Sequence, residues 1–139
     1  VDKLFVDTNI ILDWLLDREP YADAATRLFS LADRGELTLM TSALSMVNVA
    51  YFLRKAIGDK HARSTLAKLR IRCEVTPSGN RQIDEAISDG GPDFEDAYQY
   101  ACATAAGADM IVTRDARGYK HSALPVLTAA EYLANYTAR

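Results

Sequence analysis

Short apolar runs and longer amphipathic stretches alternate along this chain from its first residues. Leu4–Val6 is an apolar run that stops at Asp7-Thr8-Asn9. Those three residue types favour helix starts, so the run reads as a buried strand feeding a helix over Ile10–Leu16. Apolar positions then recur at helical spacing between Tyr21 and Arg34 (Ala24, Ala25, Leu28, Phe29, Leu31, Ala32) and end at Gly35. Leu37–Met40 predicts a second strand. Ser42 can cap a helix to about Ile57, closed by Gly58, and Asp59 can start another to about Leu69. Ile71–Val75 reads as a third strand stopped by Pro77, and Arg81–Ile87 as a short helix. Gly90-Gly91-Pro92 is a turn signal. Asp93 can cap a helix through Ala106, Gly107 ends it, and Met110–Thr113 is a fourth strand. A loop holding Gly118 and Pro125 leads to a fifth strand at Val126–Leu127 and a last helix over Ala129–Tyr136.

Strands alternating with helices predict an α/β fold, a parallel sheet with helices on both faces. Neither a repeat nor a linker interrupts the pattern, so residues 1–139 are expected to form one domain. In such sheets ligands bind beyond the carboxyl ends of the strands. Asp7 ends the first strand and Asp115 lies just past the fourth. The helix opened by Asp93 runs antiparallel to the fourth strand, which brings Asp93, Glu95 and Asp96 in its first turn to the same rim. Asn48 lies about 9 Å along the helix after the second strand, at ~1.5 Å per residue, on that side of the sheet. Thr113 points along the same edge.

Several carboxylates gathered at one rim repel one another by about 4 kcal/mol per pair at 4 Å and an effective dielectric of 20. A cation would neutralise them. Oxygen ligands with no His or Cys beside them favour Mg²⁺ or Mn²⁺. Metal-activated water attacking a phosphodiester is the matching chemistry. The expected ligands are Asp7, Asp96, Asp115 and Asp93, with Asn9, Asn48 and Thr113 behind them.

Composition narrows this picture. Of the residues, 49% are hydrophobic, enough for a core without staples, and the net charge is −3 with a sequence pI near 5.3. Any grip on nucleic acid must therefore be local. Arg114, beside Asp115, and Arg18, after the first helix, are the expected phosphate contacts. Arg54, Lys55, Lys60, Arg63, Lys68, Arg70 and Arg72 form a basic run facing only Asp59, whereas every charged residue from Ile83 to Thr113 is acidic. Cys73 and Cys102 lack motif spacing and are expected to be buried free thiols, as in a reducing cytoplasm. No signal-peptide pattern opens the sequence and no apolar run approaches the ~20 residues that span a membrane.

Four segments, LFVDTNIILDWLL, TSALSMVNVAYFLRK, PDFEDAYQYACA and ADMIVTRDARGY, resemble in their order and spacing the PIN domain, and in particular the toxin ribonucleases of the VapC type. The resemblance implies a three-layer sandwich with a central five-stranded parallel sheet. It implies a divalent metal, RNA cut to leave a 5′ phosphate, a homodimer, and a cognate antitoxin protein. Asp7, Asp96 and Asp115 match the family's first, third and fourth acids, and Asn9 its polar residue two positions after the first. The second acid, usually Glu, falls on Asn48, and Gly118 stands where many relatives carry another acid. Those two departures leave an alternative: a catalytically weakened relative that binds RNA or protein without cutting.

Overall fold

The computed structural model describes residues 1–136. Its strands are β1 (Asp2–Val6), β2 (Leu37–Thr41), β3 (Cys73–Val75), β4 (Met110–Val112) and β5 (Val126–Leu127). Its helices are α1 (Thr8–Leu15), α2 (Ala22–Asp33), α3 (Ala43–Ile57), α4 (Asp59–Arg72), α5 (Asn80–Asp89), α6 (Phe94–Ala105) and α7 (Ala129–Asn135). A 3₁₀ turn, Ala116–Tyr119, follows β4. All strand pairings are parallel, in the order β3-β2-β1-β4-β5.

Side chains alternate across each strand, and this splits the interior into two layers. Leu4, Val6, Leu39 and Val112 face a core closed by α1, α2, α3, α4 and α7, which contribute Ile11, Leu28, Val49, Leu69 and Tyr132. Phe5, Met40 and Ile111 face the opposite core, closed by α5 and α6 through Ala86, Ala97, Tyr98 and Cys102. The expected three-layer sandwich is thus the observed one.

The sheet order fixes where a site can form. From β1 the chain winds outward through β2 and β3, then returns to build β4 and β5 on the other side. β1 and β4 are neighbours, with Val6 opposite Val112, so the winding reverses between them. Helices leave a crevice at such a switch point, beyond the carboxyl ends of the strands. Asp7 and the segment Thr113–Asp115 leave the sheet there.

Two boundaries differ from the sequence reading. The third strand starts at Cys73, not Ile71, because α4 runs on to Arg72 and leaves Ile71 84% exposed. Only at Cys73 does the chain meet Leu39 in register. The segment after β4, expected as a loop, winds into the 3₁₀ turn, held to α6 by the burial of Tyr119. Cys73 and Cys102 are buried free thiols as expected, and burial pushes the Cys73 thiol up to about 12.

Candidate metal centre

Asp7 is the centre of the arrangement. It caps α1, where its Oδ1 accepts the Thr8 N–H at 2.9 Å, and its backbone N–H is tied to the Val112 carbonyl. The same Oδ1 accepts the Gln99 amide at 3.1 Å. Oδ2 accepts the Thr113 hydroxyl at 3.0 Å and the Tyr119 phenol at 3.1 Å. Four donors thus hold the buried Asp7 carboxyl in one orientation.

Beneath it lies a polar network. Gln99 is buried on α6; its amide also donates to Ser45 Oγ at 2.7 Å, and its carbonyl accepts from the Ser42 hydroxyl. Ser45 Oγ accepts the Thr8 hydroxyl. Ser42 in turn caps α3 through the Ser45 N–H. The caps of two helices, Asp7 and Ser42, are thus joined through one glutamine. Thr113 links the other side: its hydroxyl accepts from Asn9 Nδ2 at 3.3 Å and from the Asp115 N–H at 3.1 Å. Asn9 Oδ1 accepts the Arg114 N–H. Asn9 lines the pocket beside Asp7, whereas Thr113 is buried beneath it.

Asp7, Asp93, Glu95, Asp96 and Asp115 line one open pocket of about 360 Å³ with Arg18 at its side. Asp93 caps α6 by accepting the Asp96 N–H at 3.1 Å. Partial burial pushes the Asp96 carboxyl up to about 7, aided by the negative charges of Asp93, Asp7, Asp115 and Glu95. Burial, then Asp7 and Asp93, raise Glu95 in the same direction. The acids thus oppose one another's ionisation, which is the electrostatic condition a divalent cation relieves. Among the described residues, no three His, Cys, Asp or Glu side chains stand close enough together to hold a metal ion as they are placed. The donors present are all oxygens on an open rim, the chemistry of a hard divalent cation that keeps several of its waters.

Three residues depart from the sequence reading. Arg114 does not point at the pocket. Its guanidinium grips Asp13 with two hydrogen bonds of 2.7 and 3.1 Å and lies over the Tyr21 ring at 3.9 Å. Asp13 is buried, so this pair anchors the start of the 3₁₀ turn to α1 and is already committed. Asn48 is half-buried on α3 and is not among the residues lining the pocket, although Phe52, one turn further on, is. Gly118 lies against Asp96: a Cβ there would be 1.5 Å from Asp96 Oδ2. The space of a side chain at position 118 is taken by the Asp96 carboxyl itself.

Gln99, Tyr119 and Asp13 were not anticipated. Gln99 carried a faint signal, a single amide amid the apolar positions Ala97, Tyr98, Ala101 and Cys102. Tyr119 carried none, since its hydroxyl reaches Asp7 across 112 positions of sequence.

The comparisons agree with this geometry. The PIN domain family model matches residues 3–117. Ribonuclease VapC1 of Aquifex aeolicus (strain VF5) is 26% identical over 136 residues, covering 94% of this chain and 93% of that protein. The fold is shared with VapBC2 from Rickettsia felis, solved bound to a DNA fragment from its promoter (TM-score 0.66, 16% identity, 90% of this chain and 96% of that one). It is shared equally with Mycobacterium tuberculosis VapC20, a sarcin–ricin loop cleaving toxin (TM-score 0.66, 17% identity, 85% and 94%). The match of the family model over most of the chain, on a five-stranded parallel sheet whose switch point gathers these acids, shows that this protein belongs to the PIN domain family.

Proposed function

We propose that this protein is a divalent-metal-dependent endoribonuclease, the toxin of a toxin–antitoxin pair. The observation that carries the reading is the pocket at the β1/β4 switch point, lined by Asp7, Asp96 and Asp115 together with Asp93 and Glu95. Its support from relatives is the likeness to a protein named as a VapC ribonuclease.

Asp7, Asp96 and Asp115 would hold Mg²⁺ or Mn²⁺, with Asp93 as a further carboxylate. When bound, such an ion would supply a water more acidic than bulk water and charge to offset the phosphodiester. The protein's own part is positioning. Thr113, Tyr119 and Gln99 hold Asp7 in one orientation, so little reorganisation is needed when charge develops nearby. Asn9 fixes the turn that carries Asp115 through the Thr113 hydroxyl and the Arg114 N–H. Arg18, at the side of the pocket, is the cation within reach of a phosphate there.

An RNA substrate, an antitoxin partner and action in the cytoplasm go with this reading. A homodimer does too. Val47, Ile83 and Phe94 are exposed apolar side chains around one shallow groove between α3, α5 and α6, and a second copy would cover them.

The test is RNA cleavage with Mg²⁺, Mn²⁺ or EDTA, using Asp7→Asn as the blank. This variant keeps the shape and capping ability of residue 7 but loses the charged ligand. Loss of at least a hundredfold in cleavage rate, with the fold intact by circular dichroism, is expected. RNA binding without cleavage by the unaltered protein would favour the non-enzymatic alternative that Asn48 raises.

A further inference from the structure

A second cavity, of about 200 Å³, adjoins the acidic pocket. The two share a wall made by Asp93 and Asp96. The far side of the second cavity carries Arg117, Lys120 and His121, three exposed basic residues within five positions of sequence. Gly118 makes this juxtaposition possible. Lacking a side chain, it lets the Asp96 carboxyl lie against the turn and so form a thin partition between acids and bases.

We propose that this second cavity is a phosphate subsite, holding the RNA strand where it runs on from the phosphodiester in the acidic pocket. The inference rests on the ribonuclease reading and adds to it a direction for the strand and a minimum length for a good substrate. Each nucleotide brings one negative charge, and a cation at the acids offsets only the phosphodiester held there. The flanking phosphates need other partners. On one side the acidic pocket offers Arg18. Through the shared wall it offers Arg117, Lys120 and His121.

Three carboxylates and three basic side chains line the second cavity, so an anion there must be held by direct contact with the bases. Asp93 and Asp96 belong to the wall, and Asp93 is turned to cap α6 by accepting the Asp96 N–H. Asp89 also lines the cavity, and its carboxylate accepts the Gly91 N–H. Arg117 is tethered to Asp115 at 3.2 Å, but both side chains are well exposed, so the tie is weak and exchangeable. Among the described residues Lys120 makes no such ion pair, so its ammonium is the contact to test. A dinucleotide would not reach this subsite; a longer single strand would.

The experiment compares kcat/KM for a dinucleotide and a ten-nucleotide single-stranded RNA over a salt series. Lys120→Ala is the test variant and Arg27→Ala, an equal charge change on α2, the control. One phosphate contact to single strands contributes a slope of about 0.7 in log K against log salt. Reckoned against 1 M salt, Lys120→Ala should raise KM for the longer RNA roughly fourfold at 0.15 M and flatten its salt slope by about 0.7. The advantage of the longer RNA over the dinucleotide should shrink by a similar factor, and Lys120→Arg should restore it. Arg27→Ala should leave the slope unaltered. If Lys120→Ala keeps the wild-type slope and length preference while cleavage persists, the subsite is overturned and the ribonuclease reading stands. If the wild type cleaves neither RNA with either metal, both fall together.

Discussion

Replacing Gly118 by alanine puts a methyl group where a hydrogen was and should disable the acidic pocket. The new Cβ would sit 1.5 Å from Asp96 Oδ2, 2.4 Å from its Cγ and 2.9 Å from its Cβ. Non-bonded heavy atoms settle at about 3.5 Å or more, so the Asp96 carboxyl must move by roughly 2 Å. The backbone at 118 does not demand glycine, since its φ lies outside the left-handed region. Alanine at a compatible position stabilises a fold by about 0.4–1 kcal/mol through the unfolded chain. Overpacking costs about 1–3 kcal/mol where nothing can yield. Here Asp96 is half-exposed and can turn toward solvent, away from acids that push its carboxyl up to about 7. The net change in stability without metal should therefore stay within about 1 kcal/mol, because relief of repulsion offsets the clash. Metal affinity has no such offset. Loss of one carboxylate ligand should weaken Mn²⁺ binding at least tenfold, about 1.4 kcal/mol. A double-mutant cycle with Asp96→Ala isolates the carboxyl: Gly118→Ala should cost less in that background, where only the 2.9 Å approach to the Cβ of residue 96 remains, with coupling of about 1–2 kcal/mol in the metal-bound state. Urea unfolding and Mn²⁺ titration calorimetry read both quantities. Equal Mn²⁺ affinity for wild type and Gly118→Ala would refute the reasoning, since Asp96 cannot stay in place with a Cβ at 118.

Arg114→Ala should cost about 3 kcal/mol in urea unfolding, because it strands the buried Asp13 carboxylate; recovery on adding Asp13→Leu would show that the loss came from the unpaired charge. The raised Asp96 carboxyl has a pH signature. Its proton is held more tightly in the fold than at the ordinary 3.8, so stability without metal should fall as pH rises from about 4 to about 7 and level off above. Asp96→Asn should flatten that decline, and an unchanged profile in the variant would mean that other groups cause it. Cys73, with its thiol pushed up to about 12, holds only about one thiolate in ten thousand at pH 8, so iodoacetamide should label it only after unfolding.

Much of the fold was legible in the sequence because the signals that encode it are local. Leu4–Val6 running into Asp7, the helical spacing from Tyr21 to Arg34, Ser42 and Asp93 as caps, and Gly58 and Gly107 as stops all act within a few residues. Chain alternation then fixed the parallel sheet, and simple direction-keeping brought Asp7, Asp96 and Asp115 to one rim. What each polar side chain does at that rim depended on neighbours far away in sequence. Gln99 and Tyr119 meet Asp7 across 92 and 112 positions. Arg114 beside Asp115 looked like a phosphate clamp until the fold placed Asp13, buried and needing a cation, within 2.7 Å. Asn48 faces the right edge of the sheet, yet a helix position constrains direction only to within a turn, and the pocket is lined by Phe52 instead. Gly118 looked like a lost acid. In three dimensions it is the room that Asp96 occupies. Periodicity and capping are properties of neighbouring residues, and the sequence displays them openly. Hydrogen-bond partners, burial of charge and steric room arise only when distant segments close on one another, and there the tertiary structure alone decided.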